Sequence, residues 1–104
     1  MDITTTISKN KVKIRLTAER WKHIVLMHPS LIDRQKQVLA TIKNPDYIFR
    51  GGAGELLAVK KISQRSCLVI IYKETETDGF IITAYETTDT HWLFKKELIW
   101  NKHL

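Results

Sequence analysis

The chain has 104 residues and a formal net charge of +6, with 43% hydrophobic and 27% charged residues. These values are typical of one globular domain. No apolar run approaches the ~20 residues of a membrane span, and the amino end lacks the basic and apolar regions of a signal peptide. A single cysteine excludes a disulfide within the chain, so we expect one cytoplasmic domain over residues 1–104, without membrane contact.

Near the amino end, the sequence predicts a strand followed by a helix. Residues 11–16 alternate polar and apolar side chains, which is the period of a half-buried strand. Thr17 is then a suitable N-cap for a helix over 18–28, and Pro29 predicts its end because proline disfavours helical geometry in the residue before it. One face of this helix carries its apolar stripe: Trp21, Ile24, Val25 and His28.

The rest of the chain predicts a second helix and then a sheet. The helix is expected over about 31–43, and the tail over 91–104 is expected to form a short helix or a last edge strand. Between them, turns separate four segments rich in β-branched and aromatic residues: 47–50, 56–62, 67–73 and 80–87. Because the gaps are short, hairpins should connect these strands. The predicted fold class is α+β, an N-terminal strand and two helices packed on one face of a four-stranded antiparallel sheet.

Positive charge is concentrated in the first half of the chain. Residues 1–50 contain ten basic and four acidic side chains, whereas residues 51–104 contain seven of each. A positive field attracts polyanions, and nucleic acid is the leading candidate. The alternative is a lysine-rich surface that only keeps the domain in solution. The residues predicted to bind nucleic acid are Lys13, Arg15, Arg20, Lys22, Lys61 and Tyr85.

No sequence pattern predicts a metal ion or a cofactor. His23 and His28 are five residues apart, about 140° round a helix, so they cannot share a face as ligands. The glycine-rich stretch 51–54 lacks the lysine and hydroxyl residue of a P-loop and is better explained as a hairpin turn. Cys67 begins an apolar strand, which favours a small core residue over a nucleophile.

The first helix carries the candidates for proton transfer. His23 lies one helical turn from Arg20, which places a proton donor or acceptor beside a fixed positive charge. Phosphodiester cleavage without a metal needs such a pair, because protons must move and the charge of the phosphorane must be held. The alternative is an exposed helix face. His28 lies on the apolar stripe, where the alternative is a structural histidine at the end of the helix.

The predicted strands add further candidates. Lys60 and Lys61 interrupt an apolar strand and should point to opposite faces, so one of them must stay near an open face or meet an anion. Thr83 should share its face with Ile81 and Tyr85, and its hydroxyl could bind a phosphate. The alternative is that threonine and tyrosine occur there as good strand formers.

Four blocks of the sequence carry a family resemblance. They are RLTAERWKHI at 15–24, HP at 28–29, IKNPDYI at 42–48 and DGFIITAY at 78–85. In this order they resemble the small phage and prokaryotic nuclease-like proteins of the barnase–EndoU–colicin–RelE superfamily, over a nuclease-like core of about 12–87. The resemblance implies a RelE/barnase-like fold and metal-independent ribonuclease chemistry, in which the ribose 2′-OH attacks the adjacent phosphate and leaves a 2′,3′-cyclic end.

Carried over position by position, the resemblance places the catalytic residues of the family on His23, His28, Lys60 and Thr83. Many members have arginine at the position of Lys60, and lysine offers a point charge instead of a bidentate fork. We therefore predict a small endoribonuclease acting on RNA, of toxin type with an acidic neutralising partner, in which His23, Lys60 and Thr83 converge on one cleft. The alternatives are a non-catalytic nucleic-acid-binding module of the same fold and an interaction domain whose charge only aids solubility.

Overall fold

The computed structural model describes residues 3–102, which form one seven-stranded sheet and two α-helices. The helices and strands in chain order are β1 (Ile3–Ile7), β2 (Lys13–Thr17), α1 (Ala18–Met27), α2 (Gln35–Lys43), β3 (Tyr47–Arg50), β4 (Leu56–Lys61), β5 (Cys67–Glu74), β6 (Gly79–Thr87) and β7 (Glu97–Asn101). Across the sheet the order is β1-β2-β6-β5-β4-β3-β7. A short 3₁₀ helix, Pro29–Leu31, lies between α1 and α2. Within the described residues, neither helix has the length and apolar character needed to cross a membrane.

The predicted four-stranded antiparallel sheet is wrong, although the chain is mixed α+β. The sheet has seven strands, and β2 runs parallel to β6 through the pairs Ile14↔Gly79 and Arg15↔Phe80. Short turns force only sequence neighbours to be antiparallel; β2 and β6 are separated by both helices and three strands, which leaves ample chain for a parallel pair. The prediction also missed β1, whose sequence ITTTI has the strand propensity of threonine and isoleucine but no simple polar and apolar alternation.

Several boundaries also differ from the predicted ones. The first predicted strand begins at Lys13 because Lys11 has a φ of 66° and belongs to the turn after β1. The second helix begins at Gln35, since Arg34 before it has non-helical dihedral angles (φ −120°, ψ 22°). In the carboxyl-terminal tail, 97–101 is an edge strand that pairs with β3, and residues 103 and 104 lie outside the described residues.

The two helices bury one face of the sheet, here called the helix face. Thr17 caps α1, its hydroxyl accepting a hydrogen bond from the Arg20 amide at 3.1 Å. From α1, Ile24 is fully buried, and from α2 so are Val38 and Ile42. They pack with apolar side chains of the sheet: Ile14, Leu16, Ala58, Leu68, Ile70 and Ala84. α1 packs beside β6 and β2, while α2 packs against β1, β4 and β5.

The opposite face, here called the outer face, has a smaller apolar cluster formed by Leu57, Val59, Val69, Phe49 and Leu93. Neither α1 nor α2 contributes a side chain to this cluster. It is covered instead by the chain between β6 and β7, residues 88–96, here called the crossing segment. Turn hydrogen bonds from the Leu93 and Phe94 amides to the Thr90 carbonyl, at 3.1 and 3.3 Å, shape this segment. Leu93 is its fully buried residue, so one side chain anchors the segment to the sheet.

Asp46 ties three parts of the chain together at the end of the sheet. Its carboxylate accepts a hydrogen bond from the Lys61 amide at 2.8 Å, and it lies 2.7 Å from the Lys102 ammonium and 3.5 Å from that of Lys60. Burial alone raises the pKa of this carboxyl, but the hydrogen bonds from Lys102 and from the Lys61 amide, with the charge of Lys60, outweigh burial and leave the pKa below its ordinary value.

We expect Asp46→Ala to lower the free energy of unfolding by about 2 kcal/mol near neutral pH, because the Lys61 amide loses its acceptor. Since the folded-state pKa is lower than the unfolded one, this stabilisation is complete above the unfolded value of about 4 and is lost as pH falls through the folded value. Urea unfolding of the two proteins between pH 3 and 7 measures it, with the half-exposed Lys60→Gln as a control expected to cost under about 1 kcal/mol. A pH-independent difference would contradict the assignment.

Candidate nucleic-acid interface

The register of the strands separates Lys60 from Thr83, which were predicted to share one cleft. Lys60 pairs with Leu68, whose side chain belongs to the helix-face core. Thr83 of β6 pairs with Ile71 of β5, and Ile71 pairs in turn with Leu57 of β4. Residues paired across neighbouring strands share a face, and Leu57 lies on the outer face. Side chains three residues apart in one strand, such as Leu57 and Lys60, point to opposite faces. The structure therefore does not bring Lys60 and Thr83 together, and the Lys60 ammonium is directed to Asp46.

A β-bulge explains the face on which Thr83 lies. The pairing of β5 with β6 shifts between Ile71 and Tyr72, so that Tyr72 opposes Ile81 while Ile71 opposes Thr83. Ile81 is buried with the helix-face core, whereas Thr83 follows the extra residue and points to the outer face. The expectation that Thr83 shares its face with Ile81 is thus wrong, while its shared face with Tyr85 agrees with the register.

Five of the sequence-predicted residues lie on the outer face. In β2, Lys13 and Arg15 alternate with the buried Ile14 and Leu16 and so point away from the helices. In β4, Lys61 lies two residues after Val59 and so shares its face. Tyr85 lies on this face too, because it pairs with Val69, which pairs with Val59. The set is Lys13, Arg15, Lys61, Thr83 and Tyr85. Positive charge and hydroxyl groups are therefore distributed over one surface of the sheet.

The residues predicted on α1 are divided. His28, at the end of the helix, reaches Tyr85: the centroids of the two rings are 5.9 Å apart. Arg20, Lys22 and His23 are exposed on α1. Because Lys60 and Thr83 lie on opposite faces of the sheet, the predicted cleft of His23, Lys60 and Thr83 is not formed, and the histidine that contacts Tyr85 is His28.

Three rings form a row on this side of the molecule, here called the aromatic row: His28, Tyr85 and Trp92. Tyr85 stacks on Trp92 with centroids 6.1 Å apart and planes 24° from parallel, and it also contacts His28, whose ring plane is tilted by 35° from its own. Trp92 comes from the crossing segment, and the Lys96 ammonium lies 5.9 Å from the centroid of its ring. All three rings of the row are partly exposed.

Charge and protonation at this surface can be assigned for two groups. The Arg15 guanidinium makes two hydrogen bonds to Asp78, at 2.8 and 3.2 Å, so part of its charge is neutralised within the chain. Burial raises the pKa of Tyr85 to about 12, which keeps its phenol protonated at neutral pH. Tyr85 is therefore available as a hydrogen-bond donor beside the imidazole of His28.

Cys67 lies where the outer face meets the turn after β4. Burial raises the pKa of its thiol, an effect larger than the opposing influence of the Lys61 charge. The thiol is therefore protonated at neutral pH, as expected for a structural cysteine. Among residues 3–102, no three His, Cys, Asp or Glu side chains are grouped closely enough to hold a metal ion.

Sequence reasoning missed the contribution of the crossing segment. The sequence assigned Trp92 and Phe94 only to a tail that is a short helix or an edge strand, although two rings there lie close to Lys95 and Lys96 in the chain. This combination of rings and cations could have indicated a nucleic-acid surface.

Comparison of this chain with protein-family models, with curated proteins and with solved structures finds no significant match.

Proposed function

We propose that this domain binds single-stranded RNA on its outer face, with bases stacked on the aromatic row. The row itself is the observation that supports this function: three partly exposed rings are joined by centroid distances of 5.9 and 6.1 Å. The sheet face beside them carries Lys61 near Tyr85 and Lys13 at its far end. Bases stack on aromatic side chains without regard to sequence, and cations beside them hold the phosphates.

A single strand suits this surface better than a duplex does. The outer face belongs to a seven-stranded sheet, which is too broad to enter the major groove of DNA, about 12 Å wide. Unpaired bases can instead lie flat on rings, as on other sheet surfaces that bind RNA. The excess positive charge of the chain favours any polyanion, and the rings select one whose bases are free to stack.

Replacing Trp92 tests the stacking directly. We expect Trp92→Leu to weaken binding of a labelled single-stranded RNA by about 5- to 100-fold, the effect of losing a stacked base, with little change in fold because leucine retains apolar bulk. Fluorescence anisotropy at fixed salt measures the affinity. The matched control is Trp100→Leu, since Trp100 packs against the helix-face core. Equal losses in both variants, or no loss in either, would contradict the proposal.

Salt dependence tests the phosphate contacts. We expect the RNA affinity to fall steeply as salt rises, and Lys13→Gln to reduce the slope of log affinity against log salt by about one. Lys36→Gln removes the same charge from α2, on the helix side, and should leave the slope unchanged. If the RNA affinity does not change with salt, the basic residues make no phosphate contacts and serve only to keep the domain in solution.

Metal-independent ribonuclease activity is a second candidate, and the contact between His28 and Tyr85 favours it. In this reaction the 2′-oxygen attacks phosphorus, the bond to the 5′-oxygen breaks, and a 2′,3′-cyclic phosphate remains. His28 would accept the proton of the 2′-OH, and the protonated phenol of Tyr85 would donate to the leaving 5′-oxygen. The basic side chains of the outer face would hold the phosphate.

This assignment replaces His23 by His28 and drops Lys60, because the register separates Lys60 from the outer face. An acidic protein that covers the basic outer face remains our prediction for a partner, since an active ribonuclease would need restraint. The cytoplasm remains our proposal for the location, in keeping with the single cysteine.

A further inference from the structure

A cleft of about 540 Å³ lies at the end of the outer face, beyond the aromatic row. One wall is the turn between β4 and β5, and the other is the beginning of the crossing segment. Its chemistry is set by two cations, two rings and several hydroxyl groups: Lys61, Arg65, Tyr47, Phe94, Ser63 and Thr90. The volume is in the range of small-ligand sites, about 300–1,000 Å³.

The charge of this cleft is positive and unbalanced. Among the described residues that line it, none is aspartate or glutamate. The ion pairs found within residues 3–102 involve other cations, so neither Lys61 nor Arg65 has a carboxylate partner there. Two cations facing one cavity without a counter-charge favour an anionic ligand.

The turn that carries these cations is held in place by its own hydrogen bonds. The Ser63 hydroxyl accepts from the amides of Arg65 and Ser66, at 3.2 and 3.1 Å, and lies 2.9 Å from the Ser66 hydroxyl. The Ile62 amide closes the hairpin by donating to the Ser66 carbonyl at 3.0 Å. A site whose backbone is already fixed loses less entropy when a ligand binds.

An aromatic ring completes the cleft. Phe94 is 56% exposed, although it is a large apolar side chain, and it meets Tyr47 edge to face with centroids 5.3 Å apart. It meets Phe49 in the same way at 5.3 Å. These two contacts hold the Phe94 ring in one orientation while more than half of the side chain stays open. A flat partner such as a nucleobase can stack there.

We propose that this cleft binds a nucleoside monophosphate group, with the phosphate between Lys61 and Arg65 and the base on Phe94. The ligand class follows from the combination of two cations with an exposed ring. An inorganic anion would not contact the ring, and an uncharged nucleoside would leave the two cations unpaired. The same group occurs free in solution and at the phosphorylated end of an RNA strand. The cleft shares Lys61 with the outer face but no side chain with the aromatic row, so binding here does not depend on base stacking on the row.

The test compares five probes by isothermal titration calorimetry: uridine monophosphate, uridine, inorganic phosphate, a short RNA strand with a 5′-phosphate and the same strand without it. We expect the monophosphate to bind at least about tenfold more tightly than uridine or phosphate, since charge-assisted hydrogen bonds and stacking each contribute. If the strand end is the physiological ligand, the 5′-phosphorylated strand binds about tenfold more tightly than the hydroxyl strand; if it is the free nucleotide, both strands bind alike.

Arg65→Gln and Phe94→Leu should each weaken binding of the monophosphate by about tenfold, while Lys36→Gln should not. Occupancy of the cleft should also slow alkylation of Cys67, the single cysteine, which lines it. Absence of monophosphate binding, or binding that Arg65→Gln leaves unchanged, would overturn the proposal. Trp92→Leu separates the two proposals, because it should weaken binding of long RNA and leave the monophosphate affinity intact.

Discussion

Leu93→Ala should lower the free energy of unfolding by about 3 kcal/mol, within the range of about 2–5 kcal/mol for buried leucines. Leu93 is fully buried in the outer-face cluster with Phe49, Leu57 and Val59, and it is the anchor of the crossing segment. No α-helix covers this face, so few other groups can move in to fill the cavity. The control is Lys95→Ala, an exposed position of the same segment, expected within about 0.5 kcal/mol of the wild type.

Urea unfolding measures this change, and a functional consequence should accompany it. Because Trp92 precedes Leu93, loosening the segment should also weaken RNA binding, even at temperatures at which the variant is folded. A loss of stability below about 1 kcal/mol would mean that the segment packs too weakly to position Trp92. Loss of stability without any loss of RNA affinity would instead separate the segment from the binding surface.

The helices could be predicted from the sequence because their signals are local. Thr17 as a cap, the apolar stripe through Ile24 and the proline at 29 together predict α1 almost to its ends. The strands of the hairpins could be predicted equally well, since turn residues separate the β-branched segments. The parallel pairing of β2 with β6 could not be predicted, because it depends on contacts between distant segments, which no local sequence pattern indicates.

The candidate site could be predicted only in part, because its local features follow from sequence periodicity and its tertiary features do not. The alternation rule placed Lys60 and Lys61 on opposite faces, but only the register of the whole sheet decides which of them faces the helices. The bulge in β6 moves Thr83 to the outer face, away from Ile81, by adding one residue that sequence periodicity cannot reveal. The contact of His28 with Tyr85 depends on α1 lying beside β6, which again is a tertiary feature.

If the domain cleaves RNA, His28→Ala should lower the cleavage rate by at least ~100-fold while the RNA affinity falls much less, since a general acid or base contributes mainly in the transition state. His23→Ala is the matched control: it is the same substitution at an exposed position within α1, whereas His28 caps the end of that helix. Cleavage should persist in EDTA and leave 2′,3′-cyclic ends, measured on end-labelled RNA with purified protein.

A substrate with a single 2′-deoxy nucleotide at the cleaved position separates binding from chemistry. It should bind as tightly as the RNA and resist cleavage, because it lacks only the attacking oxygen. Tyr85→Phe should slow the reaction with little change in affinity, since phenylalanine retains the stacking ring and lacks only the phenol that would donate to the leaving oxygen. If His23→Ala slows cleavage and His28→Ala does not, the catalytic assignment of His23 from the sequence is correct and that of His28, which the contact with Tyr85 favours, is wrong. If none of these proteins cleaves the RNA that it binds, the aromatic row serves binding alone, and His28 is then one more ring of that binding surface.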